Sequence, residues 1–284
     1  MFLWIILRLF EMVNKNAFLI LTHKPIEHIY AYAQFYKNYN FYVHVDKKVD
    51  IKLINTKNEN NVFFINDENR IDITWAGFSM VQATLNLITY ALTHDTNNEY
   101  FHLISADDIV LNRKLSWENS DIFMECRESK KHQYRVRFDT PHADKKYQRT
   151  ILGKALTQFY KKMDKIFSTR EKFYFGSQWF SIRRNELEIL MNSIIESDLN
   201  FFRRKLCPDE HFFQYLIVKT NLLTKISLEG NKRFIKFEPF FQKGSSPIFL
   251  NSMQLIEAKK QNYWFARKVE PIEMKKFYLI SDYA

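Results

Sequence analysis

The chain of 284 residues is 46% hydrophobic and 17% aromatic, which is enough apolar material for a sizeable core and excludes an intrinsically disordered chain. With only five glycines and six prolines there is no flexible linker, no low-complexity tract and no fixed-period repeat, so fibrous and repeat architectures are excluded as well. The net charge of +10 is uneven, because residues 130–172 carry 13 Lys and Arg against 4 Asp and Glu; a solvated face, an anionic lipid surface, a phosphate-bearing substrate or nucleic acid would each suit such a block.

Residues 1–13 form a short apolar extension that carries Arg8 and Glu11 and falls well short of the roughly 20 apolar residues that span a bilayer. Residues 1–11 read as an over-extended start or a membrane-surface anchor, and 14–284 as one continuous domain. Ala17–Thr22 reads as a buried strand, Ile26–Tyr36 as a helix and Phe41–Val45 as a second strand ending at Asp46, a βαβ opening. Val62–Ile65 follows as a short strand, Phe78–Leu92 as a long amphipathic helix, and Tyr100–Ile104 as an apolar strand that runs straight into Ser105-Ala106-Asp107-Asp108. Polar residues thus gather just past strand ends, where open α/β sheets bind ligands, which singles out His44, Asp46, Asp107 and Asp108.

Farther on, Ile122–Cys126 suggests a strand, Lys154–Ile166 a basic helix, Gln178–Ile182 a strand and Arg184–Ile195 a helix. Cys207-Pro208-Asp209-Glu210-His211-Phe212-Phe213 then reads as the start of an apolar helix. Pro at the first helical position forfeits no hydrogen bond, and acids in the first turn favour the positive end of the dipole. On these grounds alone Asp209 and Glu210 are ordinary helix-start acids. Cys126 and Cys207 match no metal-ligand spacing and are too few for a disulfide framework, which suits a reducing cytosol.

Seven segments, taken in order, resemble the core-2/I-branching β-1,6-N-acetylglucosaminyltransferase and peptide O-xylosyltransferase family, glycosyltransferase family 14. They are Leu21-Thr22-His23, Tyr42-Val43-His44-Val45-Asp46-Lys47-Lys48, Thr74-Trp75-Ala76-Gly77-Phe78-Ser79, His102-Leu103-Ile104-Ser105-Ala106-Asp107-Asp108, Gly176-Ser177-Gln178-Trp179, Cys207-Pro208-Asp209-Glu210 and Phe265-Ala266-Arg267-Lys268. No single one is specific; the order is. The resemblance implies a GT-A type nucleotide-sugar transferase fold, a single α/β domain with a mixed central sheet and flanking helices. It also implies an inverting, metal-independent transfer from a UDP-sugar, GlcNAc in preference and xylose as the alternative, to a glycan hydroxyl.

Carried over residue by residue, the resemblance makes Glu210 the general base, with Asp209 the alternative. Lys268 and its neighbour Arg267 would meet the diphosphate. A second basic position falls at Lys243, where the likeness is poor and Arg233 or Lys236 could substitute. His44, Val45 and Asp46 would face the nucleotide, Asp108 is the aligned acid on the donor side, and Trp75, Asp107, Gln178 and Trp179 are further donor or acceptor pocket candidates. Trp75 and Trp179 suit core positions equally, and His23 and His102 suit structural hydrogen bonds. Tyr174, Trp179 and Trp264 sit near the motifs and could stack on pyranose faces.

Two family glycines are replaced here, by Ala106 and Ala76, which fits a backbone that avoids positive φ at those positions. No aspartate stands two positions from another, so the Asp-x-Asp that holds a cation in metal-dependent relatives of this fold is missing and no metal cofactor is expected. The competing readings are a metal-dependent transferase using Asp107 and Asp108, or a polyanion-binding domain driven by the basic block. The latter leaves the strand-end motifs idle and lacks any nucleic-acid-binding signature, so no nucleic acid partner is expected. Since the Golgi members of the resembling family carry a spanning N-terminus and several disulfides, the sequence suggests a bacterial, cytoplasmic protein, peripheral at the inner membrane face. There the basic block would meet the membrane or an acidic glycan.

Overall fold

A computed structural model of the chain describes residues 15–54, 59–112, 115, 117, 120–167, 169–237 and 246–280. Residues 1–13 of the apolar extension and Lys243 lie outside the described residues. At the centre runs β1 (Lys15–Thr22), whose uninterrupted apolar stretch is explained by burial on both faces of the sheet. Alternate side chains divide: Phe18 and Ile20 pack with Ile29, Val43 and Phe265 on one side, while Ala17, Leu19 and Leu21 pack with Val81, Leu85 and Ile88 on the other. Each large apolar side chain buried in this way contributes about 1.5–3 kcal/mol.

β1 pairs in parallel with β2 (Asn40–Val45), reached through helix α1 (Glu27–Phe35), and β2 in turn with β3 (Val62–Phe64). Helix α2 (Phe78–His94) crosses to β4 (Asn98–Ser105), which lies parallel to β1 on its other side. Beyond β5 (Asp108–Val110) comes β6 (Ile122–Phe123). It pairs antiparallel with β9 (Ser181–Arg183), itself antiparallel to β4, to give a mixed six-stranded sheet of order β3-β2-β1-β4-β9-β6. The carboxyl ends of β1, β2 and β4 therefore share one edge.

The remaining strands depart from the sequence expectation. The Ile122–Cys126 strand stops at Phe123, and the chain turns into β7 (Arg127–Glu128), which forms a separate ribbon with β8 (Tyr174–Phe175). Between them lie α3 (Tyr134–Arg137) and α4 (Ile151–Ile166); the latter begins three residues ahead of expectation because the Thr150 hydroxyl caps it, accepting from Gly153 N–H at 3.5 Å. The helix expected over Arg184–Ile195 ends early, as α5 (Arg184–Asn192), and a further helix, α6 (Glu196–Phe202), follows it, started by the Asp198 carboxylate accepting from Ile195 N–H at 3.1 Å.

Pro208–Glu210 is a separate 3-10 turn, not the first turn of the apolar helix, since His211 at φ −136° breaks the geometry before α7 (Phe212–Lys219) begins. Near the C-terminus, β10 (Arg233–Ile235), α8 (Ser252–Lys260), β11 (Phe265–Arg267) and α9 (Pro271–Ile280) complete the domain. β11 lies parallel to β10 and antiparallel to β5, and its register sets Arg267 opposite Asp108.

Candidate active site

Two cavities meet along the carboxyl edge of the sheet. The smaller, about 170 Å³, is lined by Thr22, His23 and Lys24 after β1, Asp46 after β2, and Ser105 and Asp107 after β4. The larger, about 600 Å³, is lined by Tyr134, Arg135, Arg149, Cys207, Asp209 and Glu210. Both are walled by Trp75, Met80, Gln178, Trp179, Arg267 and Lys268, so they form one cleft with a strand-end side and a Glu210 side.

On the strand-end side, charge is arranged in pairs. Asp108 is buried; its carboxylate accepts from Ser105 N–H at 2.9 Å, from the Ser105 hydroxyl at 3.0 Å and from Arg267 Nη1 at 2.6 Å. Arg267, which also meets the Ser105 hydroxyl, lays its guanidinium over the Trp179 ring, 4.4 Å from the centroid. Asp107 pairs with Lys24 at 2.9 Å and lies 3.9 Å from Lys268. Burial alone would raise the Asp107 carboxyl, but Lys24, with Arg267 and Lys268, outweighs it and holds it below its ordinary value. Burial and the neighbouring Arg267 charge lower the Lys268 ammonium against the pull of Asp107. Three cations thus face two carboxylates here.

Asp46 is fixed by Lys48: its Oδ1 accepts from Lys48 N–H at 3.0 Å and its Oδ2 stands 3.3 Å from Lys48 Nζ.

The Glu210 side is built by three loops stitched through the backbone. Gly176 N–H donates to Glu210 O at 3.1 Å, Leu206 N–H to Arg135 O at 2.9 Å, and Cys207 N–H to Ala76 O at 3.2 Å. A side chain at Gly176 would meet Glu125 O at 1.8 Å, so only glycine lets this loop pack against the Glu125 backbone. The Glu210 carboxylate is paired with Arg135 Nη1, and the Arg135 guanidinium in turn lies over Phe175. Arg149 covers Trp75, 4.7 Å from its centroid. Asp209 is buried with Oδ1 unpartnered, and burial together with the Glu210 charge pushes its carboxyl up to about 7. Burial also pushes the Cys207 thiol up to about 12, which keeps it neutral.

At the front of α2, Ser79 N–H and hydroxyl donate to the Asp144 carboxylate at 3.0 and 2.7 Å, and Thr74 N–H donates to the Ser79 hydroxyl at 2.8 Å. These bonds fix the loop that presents Trp75. A Cβ at Gly77 would stand 1.9 Å from Asp144 Oδ1, so the glycine is required by the cap.

Of the residues singled out in the sequence, the cleft gathers Asp46, Trp75, Asp107, Gln178, Trp179, Asp209, Glu210, Arg267 and Lys268. Asp108 sits behind it, holding Arg267. His44 and Val45 do not line it: His44 is buried, accepts from Ile71 N–H at 2.9 Å on Nε2 and is pulled down to about 4 by burial, while Val45 O accepts from Arg70 Nε at 2.9 Å. Arg233 is equally committed, buried with Nη2 donating to Ser181 Oγ at 3.0 Å and Leu103 O at 3.3 Å, and Lys236 lies 3.6 Å from Glu257; neither lines the cleft. His102 bridges Asn16 and Ser181 at 2.8 Å each inside the sheet, whereas His23 is exposed at the small cavity. The alanine at 76 departs from expectation, with φ at +56°, while Ala106 avoids positive φ.

Sequence reasoning missed Lys24, Arg135 and Arg149. Lys24 adjoins the Leu21-Thr22-His23 segment and could have been noticed; Arg135 and Arg149 were two of thirteen cations in the basic block. Among the described residues no three His, Cys, Asp or Glu side chains converge as metal ligands, and no helix is long and apolar enough to cross a membrane.

Residues 16–266 match the family described as Core-2/I-Branching enzyme. No curated protein gives a significant match. The chain belongs to the Core-2/I-branching family, which is a family of glycosyltransferases; that implies a nucleotide-sugar donor and a glycan acceptor.

Proposed function

We propose that this member of the Core-2/I-branching family transfers a sugar, GlcNAc in preference, from a UDP-sugar to a glycan hydroxyl, with inversion and without a metal ion. The observation that carries the reading is the continuity of the cleft: cations and aspartates at the ends of β1, β2 and β4 on one side, a carboxylate on the other, and Arg267 and Lys268 in the shared wall. Four strands in the order β3-β2-β1-β4, with the cleft at their carboxyl ends, support a GT-A type nucleotide site at the small cavity.

In this reading Glu210 accepts the acceptor hydroxyl proton while that oxygen bonds to the anomeric carbon from the face opposite the nucleotide. The bond from that carbon to the phosphate oxygen breaks and its electron pair leaves with UDP. Lys268 and Arg267 meet the negative charge that develops there. Arg135 acts as a positioning residue that fixes the Glu210 carboxylate. The Asp107–Lys24 and Asp108–Arg267 pairs support a site whose acids are already committed to cations, and so favour this mechanism over one in which Asp107 and Asp108 hold a metal.

The test is UDP release from a panel of UDP-sugars in EDTA and in added manganese. Release from UDP-GlcNAc in EDTA is expected. Release from UDP-xylose alone would select the alternative donor, and release that requires manganese would overturn the metal-free mechanism.

A further inference from the structure

Helix α4 carries a surface that the chemistry above does not use. Ile151 is 89% exposed, Leu152 61%, Phe159 53% and Ile166 72%, and Phe167 beyond its end is 52% exposed. At about 100° per residue the four helical side chains fall within an arc of about 100°, with Lys162 inside its edge and Lys154, Lys161 and Lys165 in the adjoining arc. The opposite face holds the helix down: Asp164 accepts from Arg137 Nη1 at 3.0 Å and from Gln133 Nε2 at 3.0 Å, and Thr157 Oγ1 lies 2.9 Å from His142 Nε2. A contiguous apolar arc of this kind on a charged helix marks an interaction surface.

The charge around it says what covers it. Among the described residues none of Lys145, Lys146, Lys161, Lys162 and Lys165 makes an ion pair, and the one acid of the helix, Asp164, is consumed from within. A second copy docked face to face would set these lysines against one another. An anionic bilayer supplies both an apolar layer for Ile151, Leu152, Phe159 and Ile166 and a negative surface for the lysines, and a 16-residue helix with its polar face anchored fits the interfacial plane. We infer that α4 docks the protein on an anionic membrane surface. Lys154 and Thr157 of the same helix line the Glu210 side of the cleft, so docking sets that side beside the lipid. Resting on the transferase reading, this assigns a lipid-linked glycan acceptor.

The experiment is co-sedimentation of the full chain with vesicles of phosphatidylcholine alone or mixed with phosphatidylglycerol. It uses wild type, Leu152→Asp/Phe159→Asp and Lys161→Gln/Lys162→Gln/Lys165→Gln, each checked for an unchanged melting temperature. Wild type is expected to bind the mixed vesicles only, less tightly as salt rises, and the triple-Gln variant to lose on the order of 100-fold in partitioning. UDP release is expected to be equal in all three, so failure of the transferase reading shows as silence in wild type while failure of docking shows only with vesicles. Absence of binding to the mixed vesicles, binding unchanged in both variants, or a dimer that the Asp variant dissociates without any vesicle binding would each overturn the inference.

Discussion

Glu210→Gln isolates the proton transfer from everything else the cleft does. The substitution keeps the volume of the side chain and an oxygen that can accept from Arg135, but it removes the carboxylate that takes the proton. Loss of a general base costs about 10²–10⁴-fold in kcat, or roughly 3–5 kcal/mol of transition-state stabilisation. The fold should lose far less. With Glu210 35% and Arg135 20% exposed, their ion pair is screened and contributes about 1 kcal/mol at most, a shift of about 2–4 °C in Tm. Glu210 does not line the strand-end cavity, so the Kd for UDP should be unchanged. The assay is UDP release under saturating donor, with calorimetric UDP binding and thermal melting on the same preparation. A variant that binds UDP and melts like wild type yet loses less than about tenfold in kcat would refute the assignment of Glu210 and move the base to Asp209.

Lys268→Ala should weaken UDP binding by about 10–100-fold, the equivalent of one charge-assisted contact, and leave uridine binding unchanged; equal losses for both ligands in calorimetry would remove Lys268 from the diphosphate. Asp108→Ala leaves the Arg267 guanidinium without its buried partner and is expected to cost about 3–5 kcal/mol in urea denaturation, whereas a loss under about 1 kcal/mol would show the pair to be incidental. Asp209 titrates differently in the two states. Held at about 7 in the fold against an ordinary value of about 4 when unfolded, it keeps its proton only in the native state across that window, so stability falls as pH rises from about 4 to 7, by at most about 1.4 kcal/mol per unit. Asp209→Asn should therefore gain more over wild type at pH 8 than at pH 4, about the ends of that window, and an equal gain at both would show that the carboxyl is not buried protonated.

The half of the fold that carries long apolar runs was legible from sequence because burial on both faces leaves a continuous signal: Ala17–Leu21 and the helix from Phe78 announce themselves. Several of the shortest strands do not. β5, β10 and β11 are too short to show a period, and they exist because of partners far along the chain, as when Arg267 is set opposite Asp108. The motif segments come together at one cleft because strand ends converge whatever the details between them. They could not say which side chains enter it. Asp108 lies behind the cleft and holds Arg267, and His44 is buried and accepts from the backbone of Ile71, placements set by partners that no local pattern shows. Arg135 was invisible for the opposite reason, since nothing local distinguishes it from the cations around it until the fold lays it against Glu210.

Ala76 is the residue where the sequence expectation failed in the most testable way. Its φ of +56° lies in the left-handed region, and so does the +48° of Cys207, whose N–H donates to Ala76 O. Each such residue costs about 1–2 kcal/mol and persists only where its surroundings dictate the conformation. Here the Cys207–Ala76 bond and a second one to the same carbonyl from Gln148 Nε2, at 3.3 Å, do so, and Cys207 in turn sets the direction of the Pro208–Glu210 turn. Ala76→Gly adopts the same φ without the Cβ penalty, offset in part by a buried methyl worth about 0.8 kcal/mol. A net gain of up to about 1 kcal/mol, read as a Tm higher by about 2–4 °C, is expected, with kcat unchanged because the backbone path is preserved. A lower Tm would mean that the methyl matters more than the strain. An unchanged Tm with a reduced kcat would mean that rigidity at Ala76, transmitted through Cys207, is what holds Glu210 in place.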